Sequence, residues 1–213
     1  TFDSSNGKVV IAYQDNGNST YGTAIVGTVS GTSISFGSPV VFNAAGTYQL
    51  AATYDSTNNK VVIAYKDNAN SNYGTAIVGT VSGTSISFGS SVVFNSTGNT
   101  NDISATYDST NGKVVITYWD LDNSAYGTAV VGTVSGTSIS FGTPVVFESA
   151  QVRYVSATFD STNGKVVISY QDYENSYYGT AVVLSTTGVS IPQLGSPGTF
   201  SSVRSDYVSS VYD

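Results

Sequence analysis

Four loops of one design hold most of the side chains able to do chemistry: QDNGNST, KDNANSN, WDLDNSA and QDYENSY. Each sets an aspartate three residues before an Asn-Ser pair: Asp15 and Asn18, Asp67 and Asn70, Asp120 and Asn123, Asp172 and Asn175. A carboxylate and an amide at that spacing can cap their own turn by accepting backbone N–H bonds. They can equally fix the hydroxyls of a polar ligand. Recurrence in all four loops favours the cap, and a shared ligand site is the alternative. Calcium is a weaker third reading, because only DLDNS and DYENS carry two carboxylates and an oxygen cage needs more. No cofactor and no metal site is therefore expected.

A second group surrounds these loops. Tyr48, Asp102, Arg153, Tyr154, Arg204, Asp206 and Tyr207 fall in the connections leading into each new repeat, and Trp119 and Tyr173 flank the loops themselves. Rings offer flat apolar contact while amides, carboxylates and guanidinium groups orient hydroxyls, which is the chemistry of sugar or polar-ligand recognition. The candidate ligand-binding set is Trp119, Tyr154, Arg153, Tyr173, Tyr48, Tyr207 and Arg204, with the four Asp/Asn pairs. No catalytic residue is assigned. With no His and no Cys, the usual general base, the Ser-His-Asp triad and thiolate metal sites are excluded. The carboxylate pairs Asp120/Asp122 and Asp172/Glu174 could suit glycoside hydrolysis, but they belong to different repeats and only two arginines are present. A non-enzyme is expected.

What positions these loops is repetition. An aromatic followed by Asp recurs at Phe2-Asp3, Tyr54-Asp55, Tyr107-Asp108, Phe159-Asp160 and Tyr212-Asp213, with spacings of 52, 53, 52 and 53. The second period reads as strand a (Tyr48 to Asp55), strand b (Lys60 to Asp67), strand c (Tyr73 to Ser82) and strand d (Ser85 to Phe94). Val, Ile, Thr and aromatic enrichment between Gly and Asn punctuation is the hairpin signal. The a–b turns place Gly7, Gly112 and Gly164, and once Asn59, where positive φ is required. Four antiparallel strands per repeat of this length predict an all-β fold of propeller blades. Strand b is apolar at nearly every position, so both of its faces should be buried. Small residues at the centre of strand a place it innermost.

The expected architecture is a single domain over 1–213, a four-bladed propeller with repeats at about 1–47, 48–100, 101–152 and 153–205. Residues 206–213 would complete the first blade and close the ring. A larger ring assembled from several chains, or another β fold, is the alternative. In an up-and-down blade the b–c loops and d–a connections share one face, and there the four copies diverge.

A net charge of −7 with seven scattered basic residues argues against nucleic acid. No apolar run approaches the roughly 20 residues of a membrane span. Low charge with abundant Ser, Thr, Asn and Gly points to an extracellular or virion-surface setting, and the absence of an initiator Met to a processed piece.

The stretches FDSTNGKVVISYQD, NSNYGTAIVGTVSGTSISFGS and PVVF resemble tandem repeats common in proteins of marine bacteriophages and marine bacteria. The turn YDSTNGKVV is similar to the Asp-box hairpin of sialidase-type propellers, with Val where an aromatic usually follows. The resemblance implies a propeller module on a phage or cell-surface protein, used for attachment, and supplies no catalytic residue. A recognition or adhesion module with carbohydrate as ligand class is the leading expectation. A structural or scaffold propeller, natural or engineered, is its rival.

Overall fold

The computed structural model describes residues 1–212; Asp213, the last landmark carboxylate, lies outside the described residues. The described residues are all-β apart from one short 3-10 turn, Leu121–Asn123. The first repeat unit contains β1 (Phe2–Asp3), β2 (Lys8–Asp15), β3 (Tyr21–Ser30), β4 (Ser33–Phe36) and the start of β5 (Val40–Asp55). The second takes the end of β5, then β6 (Lys60–Asp67), β7 (Tyr73–Ser82), β8 (Ser85–Phe88) and β9 (Val92–Asn95). The third is β10 (Thr100–Asp108), β11 (Lys113–Asp120), β12 (Tyr126–Ser135), β13 (Ser138–Phe141) and the start of β14 (Val145–Asp160). The fourth is the end of β14, β15 (Lys165–Asp172), β16 (Tyr178–Thr187), β17 (Ser190–Leu194) and β18 (Gly198–Arg204).

These strands form two nine-stranded antiparallel sheets, because β5 and β14 each run on from one unit into the next. Within a unit the order is a, b, c, d, and strand d is broken into two short pieces that both pair with strand c. The expected four strands per repeat are thus present in order.

The a–b turns are built by their aspartates. Asp55 Oδ1 accepts from the N–H groups of Thr57 and Asn58 at 3.0 Å, and Oδ2 accepts from Asn58 Nδ2 at 2.8 Å. Asp3, Asp108 and Asp160 repeat the pattern. Gly7, Asn59, Gly112 and Gly164 take φ of 61°, 54°, 63° and 62°, as the turn pattern requires.

Strand alternation gives every unit two apolar faces. One cluster joins Val10, Ala24 and Val26 of the first unit to Val61, Ile63, Tyr65, Ile77 and Ile86 of the second. The next joins Val62, Ala76, Val78 and Phe94 of the second to Val114, Ile116, Tyr118 and Ile139 of the third. The last joins Val115, Val131 and Phe147 to Val166, Ile168, Tyr170 and Leu184. The core is therefore three stacked seams between units. Strand b is buried on both faces from the second unit onward, as its composition predicts. Lean inner strands let the units approach: Ala157 N–H donates to Ser104 Oγ across one such boundary at 3.0 Å.

The expected closure by the last strand is not seen among the described residues. β2 pairs with the chain's own start, Phe2 opposite Val9 and Asp3 opposite Lys8. Thr1 and Val10 exchange bonds of 3.0 and 2.9 Å just beyond. The segment after Arg204 lies against the fourth unit instead. Ser210 N–H donates to Ser156 Oγ at 3.0 Å, and the Tyr212 hydroxyl bonds Thr162 as Tyr107 bonds Thr57. Phe2 and Tyr212 occupy the same place in the repeat, so only one can face Val9.

Candidate functional site

The first, second and fourth b–c loops end in a tight turn in which the Asn carbonyl accepts from the N–H of the Tyr that opens strand c: Asn18 to Tyr21 and Asn70 to Tyr73 at 2.9 Å, and Asn175 to Tyr178 at 3.0 Å. In all four loops the same two consecutive turn positions are left-handed: Ser19-Thr20, Ser71-Asn72, Ser124-Ala125 and Ser176-Tyr177. Such a turn normally calls for Asn or Gly at both positions. Here the aspartate steadies it. Asp15 Oδ1 accepts from Gly17 N–H at 3.0 Å, Asp67 Oδ1 from Ala69 N–H at 3.2 Å, and Asp172 Oδ1 from Asn175 N–H at 3.2 Å.

The third loop breaks the rule. Leu121–Asn123 winds into a 3-10 turn, and Asp120 makes no capping bond to it. Asp120, freed from that role, borders a cavity of about 480 Å³ together with Phe94, Asn95, Thr97, Tyr118, Asp122 and Asn123. The cavity exists because the second d–a connection differs from the others. The first and third connections run on as unbroken strands, whereas this one carries an extra residue and leaves strand pairing between Asn95 and Thr100. Asp120 is only 4 % exposed. Its Oδ2 lies 2.8 Å from the Thr97 hydroxyl, which also sits 2.6 Å from Asn95 Oδ1 and has a single proton to give. Its Oδ1 has no hydrogen-bond partner among the described residues. A buried carboxylate oxygen without a donor costs on the order of 1–3 kcal/mol or more. Burial, and after it the Asp120 charge, push the neighbouring Tyr118 phenol well above its usual range. The pocket is therefore acidic, floored by rings, and short of donors.

A second constellation sits on the same loop face in the fourth unit. The Tyr154 and Tyr207 rings lie 4.8 Å apart, and Tyr173 meets Tyr177 edge-on at 4.6 Å. The Arg204 guanidinium lies 5.0 Å over Tyr177 and 3.0 Å from Asp206. Asp206 also accepts from Gln171 Nε2 at 2.7 Å. The bond and charge of Asp206 raise the Arg204 pKa, and the bond from Arg204 lowers that of Asp206. A hydrogen bond with Tyr173 raises that of Tyr177, while the charges of Arg204 and Arg153 pull it down. Tyr154 and Tyr207 are themselves left-handed, as are Gln49 and Asp102 at the same repeat position, with φ of 52°, 55°, 53° and 46°. The last two boundaries, between the second and third and between the third and fourth units, are latched there: Gln49 Oε1 accepts from Asp102 N–H at 3.2 Å, and Asp102 Oδ2 from Tyr154 N–H at 2.8 Å.

Of the residues singled out from sequence, Asp120 and Asn123 meet at the cavity, while Arg153, Tyr154, Tyr173, Arg204 and Tyr207 gather in the fourth unit. Asp15, Asn18, Asp67, Asn70, Asp172 and Asn175 are joined through their turns. Asp67 also accepts from Asn43 Nδ2 at 3.3 Å. Tyr48 is half-buried opposite Lys66. Trp119 packs against the seam between the third and fourth units, its indole N–H without a partner among the described residues. Sequence reading missed Tyr177, Asn95 and Thr97. Their signals were an aromatic at a turn tip where the other copies hold Thr20, Asn72 and Ala125, and the one-residue excess in the second d–a connection. Among the described residues no three His, Cys, Asp or Glu side chains cluster as metal ligands. No protein-family model matches this chain, and no match was found among the curated proteins.

Proposed function

We propose that the four units are blades of a β-propeller-type array serving as a non-enzymatic recognition or adhesion module at a virion or cell surface. Its ligand is a carbohydrate or a comparably hydroxyl-rich molecule, bound on the b–c/d–a face. The observation that carries this reading is Asp120, which borders the 480 Å³ cavity and whose buried Oδ1 lacks a donor among the described residues. A hydroxyl supplies that donor, and Tyr118 and Phe94 offer apolar contact to a sugar face. The Tyr154/Tyr207 and Tyr173/Tyr177 pairs extend the same surface. A scaffold role is the second reading, favoured by the three other loop aspartates, which are all engaged in holding turns.

A glycan array with the wild-type protein and Asp120→Ala separates the two. Reproducible binding that drops at least 10-fold in Asp120→Ala supports recognition at the cavity, a loss of roughly 1.4 kcal/mol or more. Binding lost only in Tyr154→Ala would move the site to the aromatic cluster. Silence across the array favours the scaffold.

A further inference from the structure

Each seam inside the molecule is made the same way, with one face of a unit packed on the opposite face of the next. At the two ends those faces have no cover among the described residues. On the first unit Ile11 is 40 % exposed, whereas its counterpart Ile63 is fully buried, and Ile34 is 43 % exposed against 3 % for Ile86. Phe2, Val29 and Phe36 are open on the same face. On the fourth unit Phe200 is 57 % exposed against 6 % for Phe94, and Val183 is 43 % exposed where Val78 is fully buried. The open face of the first unit is therefore the kind of surface that the second presents to the first. The open face of the fourth is the kind that the third presents to the fourth. The two are complementary because the three internal seams are built from their equivalents.

The backbone repeats the message. β2 is paired on its outer side only by Thr1–Asp3, and among the described residues Ala12 to Asp15 have no strand partner there. In the second unit the corresponding stretch of β6 pairs with Thr47, Tyr48 and Ala51. The residues at those repeat positions near the other end, Ser205 to Ser209, lie on the fourth unit without strand pairing of their own. An unpaired edge and an unpaired segment of matching register thus accompany the two open faces.

We infer that this chain associates head-to-tail with a second copy of itself, the fourth unit of one copy covering the first unit of the other. Ile11, Ile34 and Phe36 receive Val183 and Phe200, and Ser205 to Ser209 extend the edge of β2. The contact is heterologous, so each copy keeps one free face of each kind, and assembly proceeds to a closed ring or a filament.

Sedimentation velocity over a wide concentration range, on wild type, Ile11→Asp and Phe200→Asp, tests this. Neither side chain belongs to an internal seam, so both variants should keep the wild-type circular dichroism spectrum and, at dilutions where wild type is itself monomeric, its melting temperature. Wild type should associate reversibly with concentration. Each variant alone should be monomeric, its self-association weakened on the order of 30-fold or more. An equimolar mixture of the two should form a one-to-one dimer, because each retains the face the other has lost. A wild type that stays monomeric at every concentration overturns the inference, by placing the cover within the chain or in another molecule. So does a mixture that stays monomeric, or association that persists in the double variant.

Discussion

Tyr21 to Ser38 and Tyr73 to Ser90 are the same eighteen residues, yet they live in different surroundings. In the second copy Ile86 is 3 % exposed inside a seam, while in the first Ile34 stands 43 % exposed on an outer face. Local sequence fixes the strand, the turn and the direction of each side chain. Whether that side chain stabilises the fold depends on whether another unit follows on that side. In an array of stacked repeats, stability is a sum of unit terms and neighbour terms, and the end units lack one neighbour each.

The largest test of this contrast is truncation. Ile86→Ala should destabilise by about 2–4 kcal/mol in urea unfolding, whereas Ile34→Ala in dilute protein should lose under about 1 kcal/mol. Equal losses would break the comparison, since they would mean that the first face is covered. Next come the glycines after strand d. A methyl group on Gly89 would overlap the Thr137 carbonyl of the next unit, while one on Gly195 meets nothing closer than 3.1 Å. Gly89→Ala should lower stability by about 1–3 kcal/mol and Gly195→Ala by clearly less, both read from melting temperatures.

A smaller difference separates the loops. Asp67→Ala removes a turn cap and should lose about 1 kcal/mol. Asp120→Asn removes an unsatisfied buried charge and should leave thermal stability unchanged or raised; a loss as large as that of Asp67→Ala would show that Asp120 is structural. The smallest effect concerns pH. Hydrogen bonds from Arg204 and Gln171 depress the folded pKa of Asp206 below its unfolded value of about 3.9. Its contribution is therefore complete above the unfolded pKa and fades as pH falls through the folded one. The Asp206 carboxyl titration followed by NMR should move upward in Arg204→Ala; an unchanged titration would dissociate the pair.

The strands, their order and the Asp-anchored hairpins were legible in the sequence because they depend on neighbours along the chain, such as Asp55 and Asn58. The open ends were not. Ile11 and Ile63 sit in the same local sequence, and only the arrangement of whole units distinguishes them. The candidate cavity was half legible. Asp120 and Asn123 stood out by type, but the loss of the cap followed from a 3-10 turn that the DLDN letters do not announce. The aromatic group was legible by composition, except for Tyr177, whose left-handed backbone is a property of the turn rather than of tyrosine.

That turn has a further consequence. In the first, second and fourth loops its path is held by a carbonyl-to-amide bond at its base and by an aspartate, while the residue at its tip differs from copy to copy: Thr20, Asn72, Tyr177. The tip acts as a socket, keeping its geometry whatever side chain is plugged in. Three such sockets make a surface that can be diversified combinatorially without retuning the frame beneath. A library randomised at these three positions would inherit the fold and vary only in the chemistry its loop tips present.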